Sequence, residues 1–442
     1  MKVHLRTLGC RLNEAELEQW SQRFLDAGHQ LSQDANQADL IVLNTCAVTH
    51  EASRKSRHVI HRLQRENPNA RLVVSGCHAT LNPDEVAQTL GVDLVVGNAD
   101  KHALPAIAMR RLDLPDSPAS ATEPGEIALY ARGRHRAFIK IQDGCRYRCT
   151  FCIVTVARGE ERSQPIADVL AEIRRFYAQG IQEVVLTGVH VGGYGSDLGG
   201  QTDLAALVRT VLEQTEIPRI RLASVEPWDL SDAFLDLFAN PRLQPHMHLP
   251  LQSGSDSVLR RMARRCKTAE YATLIEKLRA RNPDFNVTTD IIVGFPGETE
   301  AEWAETLDYL PQIGFGHIHI FPYSARGGTK AATLPDQIDK SIRQSRCQQL
   351  AELAAGMKRS ALRSLLGKRV DVLWEQSSRD HDTGTTTIAG YTPNYARVRV
   401  AVDGETDLSY QITPVVLDRV DPSRPELEGK LIDRSPFVAN PR

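Results

Sequence analysis

The stretch DGCRYRCTFC, residues 143–152, places Cys145, Cys149 and Cys152 in the spacing C-x3-C-x2-C. Three thiolates on one short loop are soft ligands for a metal or an iron–sulfur cluster. A structural zinc site closes with four ligands. A four-iron four-sulfur cluster held by only three cysteines leaves one iron with an open position, where a small molecule can bind. The alternative is zinc completed by a distant fourth ligand such as His190, although C-x3-C-x2-C is not one of the usual paired zinc spacings.

Three more cysteines carry information by position. Cys10, Cys46 and Cys77 stand in RTLGCRLN, VLNTCAVT and VVSGCHAT, each just after a short apolar run that reads as a strand. Parallel strands bring their C-terminal ends to one edge of a sheet, where ligands bind. The three cysteines are therefore expected to converge and hold a second cluster. The alternative is that each is a small buried residue at a strand end. Cys266 and Cys347 lie in helical patterns without cysteine neighbours and are expected to be structural.

The elements that position these residues follow from hydrophobic period. Over 1–112, VHLRTL, DLIVLN, RLVVSG and DLVVGN read as buried strands, alternating with helices near 13–28, 49–66, 82–90 and 101–111. That order predicts an α/β domain with a parallel sheet. Residues 113–130 are Pro-, Ser- and Ala-rich and read as a linker. From 131 to 365 the alternation resumes, with strands at AFIKIQ, EVVLTG, RIRLAS, HMHLPL, NVTTDIIVG and HIHIF. Six strand–helix units predict a partial (β/α)6 barrel, with chemistry at the C-terminal strand ends. The Cys145–Cys149–Cys152 loop follows the first of these strands. Over 366–434, the short alternating segments KRVDVLWE, TTTIAGY, ARVRVAV and GKLIDRS, separated by Gly, Pro and Asp, predict a small β-barrel.

With 41% hydrophobic and 24% charged residues the chain has ordinary globular composition, and its 442 residues imply two or three domains. A formal net charge of -2 excludes recognition of nucleic acid by bulk charge, leaving only local patches. One such patch is a stripe on the 49–66 helix: Arg54, Arg57, His58, His61, Arg62 and Arg65, opposite Val59, Ile60 and Leu63. A second is Tyr395, Arg397 and Arg399, which alternate onto one expected strand face suited to base stacking and backbone contact. Residues 367–442 carry 10 Lys plus Arg against 12 Asp plus Glu, so only a local contact is expected there. The start of the chain has no apolar signal region, and no run approaches a membrane span. A reducing cytoplasmic setting is expected, where clustered thiols serve metal or catalysis rather than disulfides.

The C-x3-C-x2-C motif, with Phe151 before its last cysteine and after the first barrel strand, resembles the radical S-adenosylmethionine (SAM) superfamily. TLGCRLNEAE, NTCAVT and SGCHA resemble the N-terminal domain of its methylthiotransferases. KIQDGCRYRCTFCIVTVARGEERS, LTGVHVGGYG, RLASVEP, HLPLQSGSDSVLRRM, TTDIIVGFPGETE and FPYSARGGT resemble that family's barrel motifs, and GYTPNYARVRV its C-terminal TRAM domain. The resemblance implies two 4Fe-4S clusters, on Cys145, Cys149 and Cys152 and on Cys10, Cys46 and Cys77. It implies SAM on the open iron, with Phe151 near adenine and Gly188, Ser224, Glu226 and Gln252 in contact. One SAM would methylate sulfur held at the N-terminal cluster; a second would yield the 5′-deoxyadenosyl radical that removes hydrogen from adenine C2. The implied partners are tRNA, a reducing donor such as flavodoxin or ferredoxin, and a sulfur donor, without a membrane. The wording of GCRLN and SARGGT is most similar to the branch acting on N6-threonylcarbamoyladenosine at tRNA position 37. Its carboxylate calls for a cation, for which Arg326 is the candidate. Isopentenyladenosine and a ribosomal-protein aspartate are the sister substrates. Outside this family stand a radical SAM enzyme with a relay cluster and a non-enzymatic iron–sulfur RNA sensor.

Overall fold

The computed structural model describes residues 1–114, 136–200, 202–375, 378–379, 386–402 and 406–432. The expected linker at 113–130 lies almost wholly outside them.

The N-terminal part is a parallel five-stranded sheet in the order β2-β1-β3-β4-β5: β1 Lys2–Thr7, β2 Gln30–Leu31, β3 Leu40–Thr45, β4 Arg71–Gly76 and β5 Leu94–Val96. β3 is buried at every position, as a central strand covered on both faces must be. On one face α1 (Arg11–Asp26) and α5 (Leu104–Arg111) pack Leu17, Trp20, Phe24 and Leu104 onto Val3, Leu40 and Val42. On the other, α2 (His50–Glu66) packs Val59, Ile60 and Leu63 against Ile41, Leu43 and Val74. Thr49 caps α2 by accepting a hydrogen bond from Ala52 N at 3.1 Å. The expected helix at 82–90 is the shorter α4 (Pro83–Ala87), separated by a break from α3 (Cys77–Leu81) before it. Pro83 explains the break: it supplies no N–H and starts a helix rather than continuing one.

The six expected barrel strands are all present: β6 Arg136–Lys140, β9 Glu183–Thr187, β10 Arg219–Leu222, β11 His246–His248, β12 Asn286–Val293 and β13 His317–Pro322. A small pair, β7 (Gln142–Asp143) with β8 (Arg162–Ser163), lies between the first two. The barrel strands form two parallel triplets, β6-β9-β10 and β11-β12-β13. Parallel bridges Ile220↔Leu243 and Ser224↔His248 join them into one curved surface. Its outer face packs Ile139, Leu186, Leu222, Met247 and Val287 under a layer of helices. The helices of that part are α6 (Val154–Arg158), α7 (Ile166–Ala178), α8 (Leu204–Gln214), α9 (Asp232–Leu235), α10 (Asp256–Arg261), α11 (Thr268–Arg281), α12 (Glu300–Ile313) and α13 (Lys340–Arg363).

The C-terminal part closes five strands into a barrel, β14 (Arg369–Trp374), β18 (Ile412–Val420), β19 (Leu427–Leu431), β17 (Arg397–Val402) and β16 (Thr386–Tyr391). The β14–β16 pairing completes the ring, and β15 (Ser378–Arg379) pairs antiparallel with β16. β18 is absent from the strands expected from sequence. Pro414 lies inside it, and an internal proline argues against a paired strand.

Charge binds the N-terminal sheet to the large barrel. Glu16 of α1 is 2% exposed and meets Lys101, Lys140 and Arg158 at 2.5–3.0 Å; Asp143 meets Lys140 at 2.6 Å and Arg158 at 2.9 Å. Burial alone pushes the Glu16 carboxyl up, but Lys101, Arg158 and Lys140 together hold it well below the usual carboxylate range. A different group marks the same seam on α7. Burial pushes Glu172 up to about 7, against the pull of Arg175, and its carboxyl accepts a hydrogen bond from Gln19 Nε2 at 3.4 Å. A raised carboxyl means that the fold prefers the neutral form. Its stabilising effect is present below the ordinary pKa, about 4.3, and is lost as pH rises through about 7. Glu172→Gln, neutral at every pH, is therefore expected to lose less thermal stability than the native chain between pH 5 and pH 8. Parallel melting curves for the two proteins across that range would show the assignment to be mistaken.

Candidate functional site

The first cysteine triad hangs from the end of β7. Gly144 turns the chain at φ +73°, where a Cβ would lie 1.8 Å from the Glu160 carbonyl oxygen, so a glycine is required. Cys145 N then donates to Gly159 O at 3.1 Å. Buried Gln142 fastens the loop below. Its Nε2 donates to Asp143 O and Gly144 O, and its Oε1 accepts from Val189 N and His190 N at 3.0 and 2.8 Å. On the far side Thr150 N donates to Met262 O, and Ala331 N to Thr150 O. The loop is thus tied to segments that follow β9, α10 and β13.

All eight cysteines are free thiols. Burial pushes Cys145 up to about 11 and Cys152 up to about 12, and raises Cys149. Thiols so buried ionise only with a cation or metal beside them. Donors already point at the sulfurs: Val154 N to Cys152 Sγ at 3.4 Å, and Arg264 Nη1 to Cys149 Sγ at 3.9 Å. Soft donors on one loop, with N–H groups aimed at them, fit a thiolate-held cluster. A His190 nitrogen, Cys145 Sγ and a Glu161 oxygen lie within 4.8 Å of one another, but His190 is already held by two carboxylates. Its Nδ1 meets Glu161 and its Nε2 lies 2.6 Å from Asp229 Oδ2, so both nitrogens are engaged. Burial lowers its pKa, but hydrogen bonds to Asp229 and Glu161 raise it overall, as two carboxylates on one imidazole should.

The residues expected around SAM lie on this same rim. Phe151 packs with Val258, Met262, Phe295 and Tyr323, beneath the turn GFPGE. Gly188 abuts Gln142, where an added Cβ would lie 3.0 Å from the Gln142 carbonyl oxygen. Ser224 bridges to His248 and Gln252 to Ile291. Gln252 holds φ at +81°, an unfavourable backbone state for a non-glycine residue of the kind that clusters at functional sites. Glu226 receives Arg264 Nη2 at 2.8 Å. Arg264 was not apparent from sequence: RRMARRCKT holds four arginines, and no period separates this one from its neighbours. Its guanidinium lies over Trp228 at 4.5 Å and joins Cys149 to Glu226.

The second triad gathers at the edge of the N-terminal sheet. Cys10 caps α1, Cys46 follows β3 and Cys77 opens α3 after β4. Gly9, at φ +100°, brings the chain so close that a Cβ would lie 2.6 Å from Cys46 Sγ. Burial raises the Cys46 pKa, and the charges of Cys10 and Cys77 add to it. Asn98 Nδ2 points at Cys77 Sγ from 3.7 Å and also donates to Ala157 O at 2.6 Å. Ala47, Cys77 and Ala157 form one small apolar cluster. Ala157 and Arg158 belong to α6, which starts two residues after Cys152. Arg158 Nη2 donates to Asn13 Oδ1, the acceptor that also faces Cys10 Sγ. One five-residue helix therefore separates the two triads.

Other expected contacts lie elsewhere. Arg326 faces the N-terminal part, with Nη2 donating to Ser53 Oγ at 2.9 Å, and Cys46 and Cys77 are among its electrostatic neighbours. On α2, Arg54, Arg57, His58, His61 and Arg65 are exposed and Arg62 is half-buried, with Val59, Ile60 and Leu63 turned inward. Tyr395, Arg397 and Arg399 do not share an open strand face. Tyr395 sits in a turn before β17 at φ +66°. The turn YTPNY plugs the lower end of the large barrel, where Arg221 and Arg136 lie over the Tyr395 ring and Arg136 donates to its hydroxyl. Arg219 and Arg221 donate to the Tyr391 and Pro393 carbonyls. Arg397 pairs with Glu375 at 3.4 Å and Glu426 at 3.2 Å, and Arg399 with Glu426. Sequence alternation could not reveal these tertiary partners. Cys266 is buried in the barrel core and Cys347 packs against it.

Comparison with known proteins agrees with this layout. Residues 139–310 match the Radical SAM superfamily, and residues 2–97 match "Uncharacterized protein family UPF0004". The threonylcarbamoyladenosine tRNA methylthiotransferase MtaB of Bacillus subtilis is 33% identical over 93% of this chain and 93% of its own. Its namesake from Thermotoga maritima is 37% identical over 84% and 86%. A tRNA-2-methylthio-N(6)-dimethylallyladenosine synthase of Cereibacter sphaeroides is 35% identical over 86% and 88%. Among solved structures, the radical SAM methyltransferase TsrM of Kitasatospora setae shares the fold at a TM-score of 0.56 and 16% identity, over 75% of this chain and 77% of its own. With relatives of this identity along most of its length, and both family halves in register, the chain belongs to the radical SAM methylthiotransferase family.

Proposed function

We propose that this enzyme methylthiolates C2 of N6-threonylcarbamoyladenosine at position 37 of tRNA. The observation that carries the reaction class is the approach of two cysteine triads to the two sides of α6. The first triad would hold a 4Fe-4S cluster with SAM, and the second triad a second 4Fe-4S cluster. Bound there, the clusters and SAM supply one-electron chemistry and a methylated sulfur. The chain's own residues do the positioning. Gln142, Thr150 and Gly144 fix the first triad loop, Arg264 steadies Cys149 against Glu226, and Asn98 and Arg158 hold the second triad against the first. Phe151, Gly188, Ser224, Glu226 and Gln252 line the rim where SAM would lie. Arg326, held at Ser53 beside the N-terminal triad, and the exposed α2 arginines would meet tRNA phosphate, while Tyr395 keeps the barrel end shut. Arg397 and Arg399 would reach RNA only by leaving Glu426.

The substrate branch is supported by the relatives named for threonylcarbamoyladenosine and by the wording of GCRLN and SARGGT. The dimethylallyl relatives at similar identity make isopentenyladenosine the competing substrate. A cytoplasmic setting with a flavodoxin- or ferredoxin-like donor and a separate sulfur source completes the reading; among the described residues no helix is long and apolar enough to cross a membrane. The test is direct. Cluster-loaded enzyme, SAM and reductant are offered tRNA bearing either modification, and the nucleosides are analysed by mass spectrometry. Methylthiolated threonylcarbamoyladenosine is expected. Product from isopentenyladenosine alone would transfer the enzyme to the sister branch.

A further inference from the structure

The inner face of the large barrel holds a polar group that the cysteine and SAM sites do not use. His248 of β11, Asp290 of β12 and His319 of β13 offer ligand atoms that all lie within 4.8 Å of one another. The strands dictate this meeting. β12 and β13 pair in parallel with Asp290 opposite His319, and β11 pairs with β12 so that His248 stands opposite Thr288. The His248 and His319 rings meet edge to face at 5.5 Å, and His317 and His319 at 4.5 Å.

A hydrogen-bond chain orients the group from below. Buried His246 Nε2 lies 3.4 Å from Thr288 Oγ1, which lies 3.0 Å from His248 Nδ1. With His246 donating to that hydroxyl, the hydroxyl donates to His248 Nδ1. His248 Nε2 then carries its proton towards Asp290 Oδ1, 3.2 Å away. The ring is fixed and the carboxylate is aimed. Asp290 has no other ion pair, and the exposed imidazole of His319 makes no side-chain hydrogen bond, among the described residues. The group is also next to the SAM rim. Gln252 N donates to the Asp290 carbonyl at 2.9 Å, and Ser224 bridges to His248.

We propose that Asp290 and His319, with His248 as the positioning residue, recognise the ureido-carboxylate side chain of the target nucleoside; the inference rests on the threonylcarbamoyl reading above. The chemistry matches in two halves. A threonylcarbamoyl group presents ureido N–H and hydroxyl donors beside a carboxylate. Asp290 accepts from the donors, and an imidazole N–H of His319 donates to the carboxylate. An isopentenyl chain supplies neither partner and would leave a desolvated carboxylate unpaired, which a polar site rejects strongly. A carboxylate ligand beside Asp290 needs a nearby cation, and Lys358 of α13 is a charged neighbour of both His317 and His319.

The experiment uses cluster-loaded enzyme and fluorescence anisotropy. Two anticodon stem-loops are compared, identical except for threonylcarbamoyladenosine or unmodified adenosine at position 37. The native enzyme is expected to prefer the modified RNA. Asp290→Asn and His319→Phe are each expected to cut that preference about tenfold or more, and His319→Gln, which keeps a donor, to restore part of it. The unmodified RNA is the reference in each variant, so a general folding defect, which weakens both RNAs alike, would count against the proposal. So would equal binding of both RNAs by the native enzyme, or an unchanged preference in the variants. A stoichiometric metal other than iron, lost in Asp290→Asn, would replace the proposal with a metal site. Failure of the substrate reading looks different: native enzyme would then methylthiolate only isopentenyladenosine, before any variant is tested.

Discussion

Cys46→Ala enzyme is expected to cleave SAM reductively while forming no methylthiolated nucleoside. Cys46 belongs to the N-terminal triad, at the end of β3, whereas the loop of Cys145, Cys149 and Cys152 is tied to the large barrel by Gln142, Thr150 and Ala331. Removing one buried thiol from the sheet edge leaves those ties untouched. Iron should fall from about eight per chain to about four, on the four-iron reading of each triad. Cys149→Ala is the complementary variant. It removes the sulfur that Arg264 faces and should abolish both SAM cleavage and product, a loss of at least about a thousandfold in each. The measurements are iron content, 5′-deoxyadenosine and methylthiolated nucleoside in the same samples. Full product from Cys46→Ala would make the N-terminal cysteines mere strand-end residues, and four irons in the native protein would remove the second cluster.

Arg158→Ala is expected to cost more stability than any surface change. The side chain is 3% exposed and donates to Glu16 Oε1 at 3.0 Å, Asp143 Oδ1 at 2.9 Å and Asn13 Oδ1 at 2.7 Å. Burial works against its charge, and Glu16, Asp143, Cys77 and Cys10 together hold its pKa well above the usual arginine value. Breaking a buried pair from one side leaves carboxylates short of a cation, at a cost of about 3–5 kcal/mol. Arg158→Lys should recover only part, because one ammonium cannot reproduce a planar fork that meets three acceptors. The damage should also reach the N-terminal triad, since Asn13 faces both Arg158 and Cys10. Urea unfolding and the iron content of each variant test both claims. A variant as stable as the native chain, with all its iron, would show that Lys101 and Lys140 alone neutralise the site.

The sequence by itself determined where the six clustered cysteines stand and the strands that carry them. C-x3-C-x2-C is local, and its loop follows a strand marked by the apolar run AFIKIQ. Cys10, Cys46 and Cys77 follow strands read from short buried runs, and parallel pairing must bring those ends to one edge. The inward face of α2 was equally legible, because Val59, Ile60 and Leu63 keep a helical period. What only the tertiary structure decided lies between elements distant in the chain. Glu16 carries no signal in the sequence, and only the fold closes Lys101, Lys140 and Arg158 around it. Tyr395 reads as an RNA-stacking residue until Arg136 and Arg221 take its ring, and Pro414 hides a nine-residue strand that closes the small barrel. His248, Asp290 and His319 are 42 and 29 residues apart in sequence, and only the register of β11, β12 and β13 makes them neighbours. Periodicity reports which face of an element is buried. It does not report what charge or ring waits on the other side, because that partner is set by how strands and helices from far along the chain are aligned.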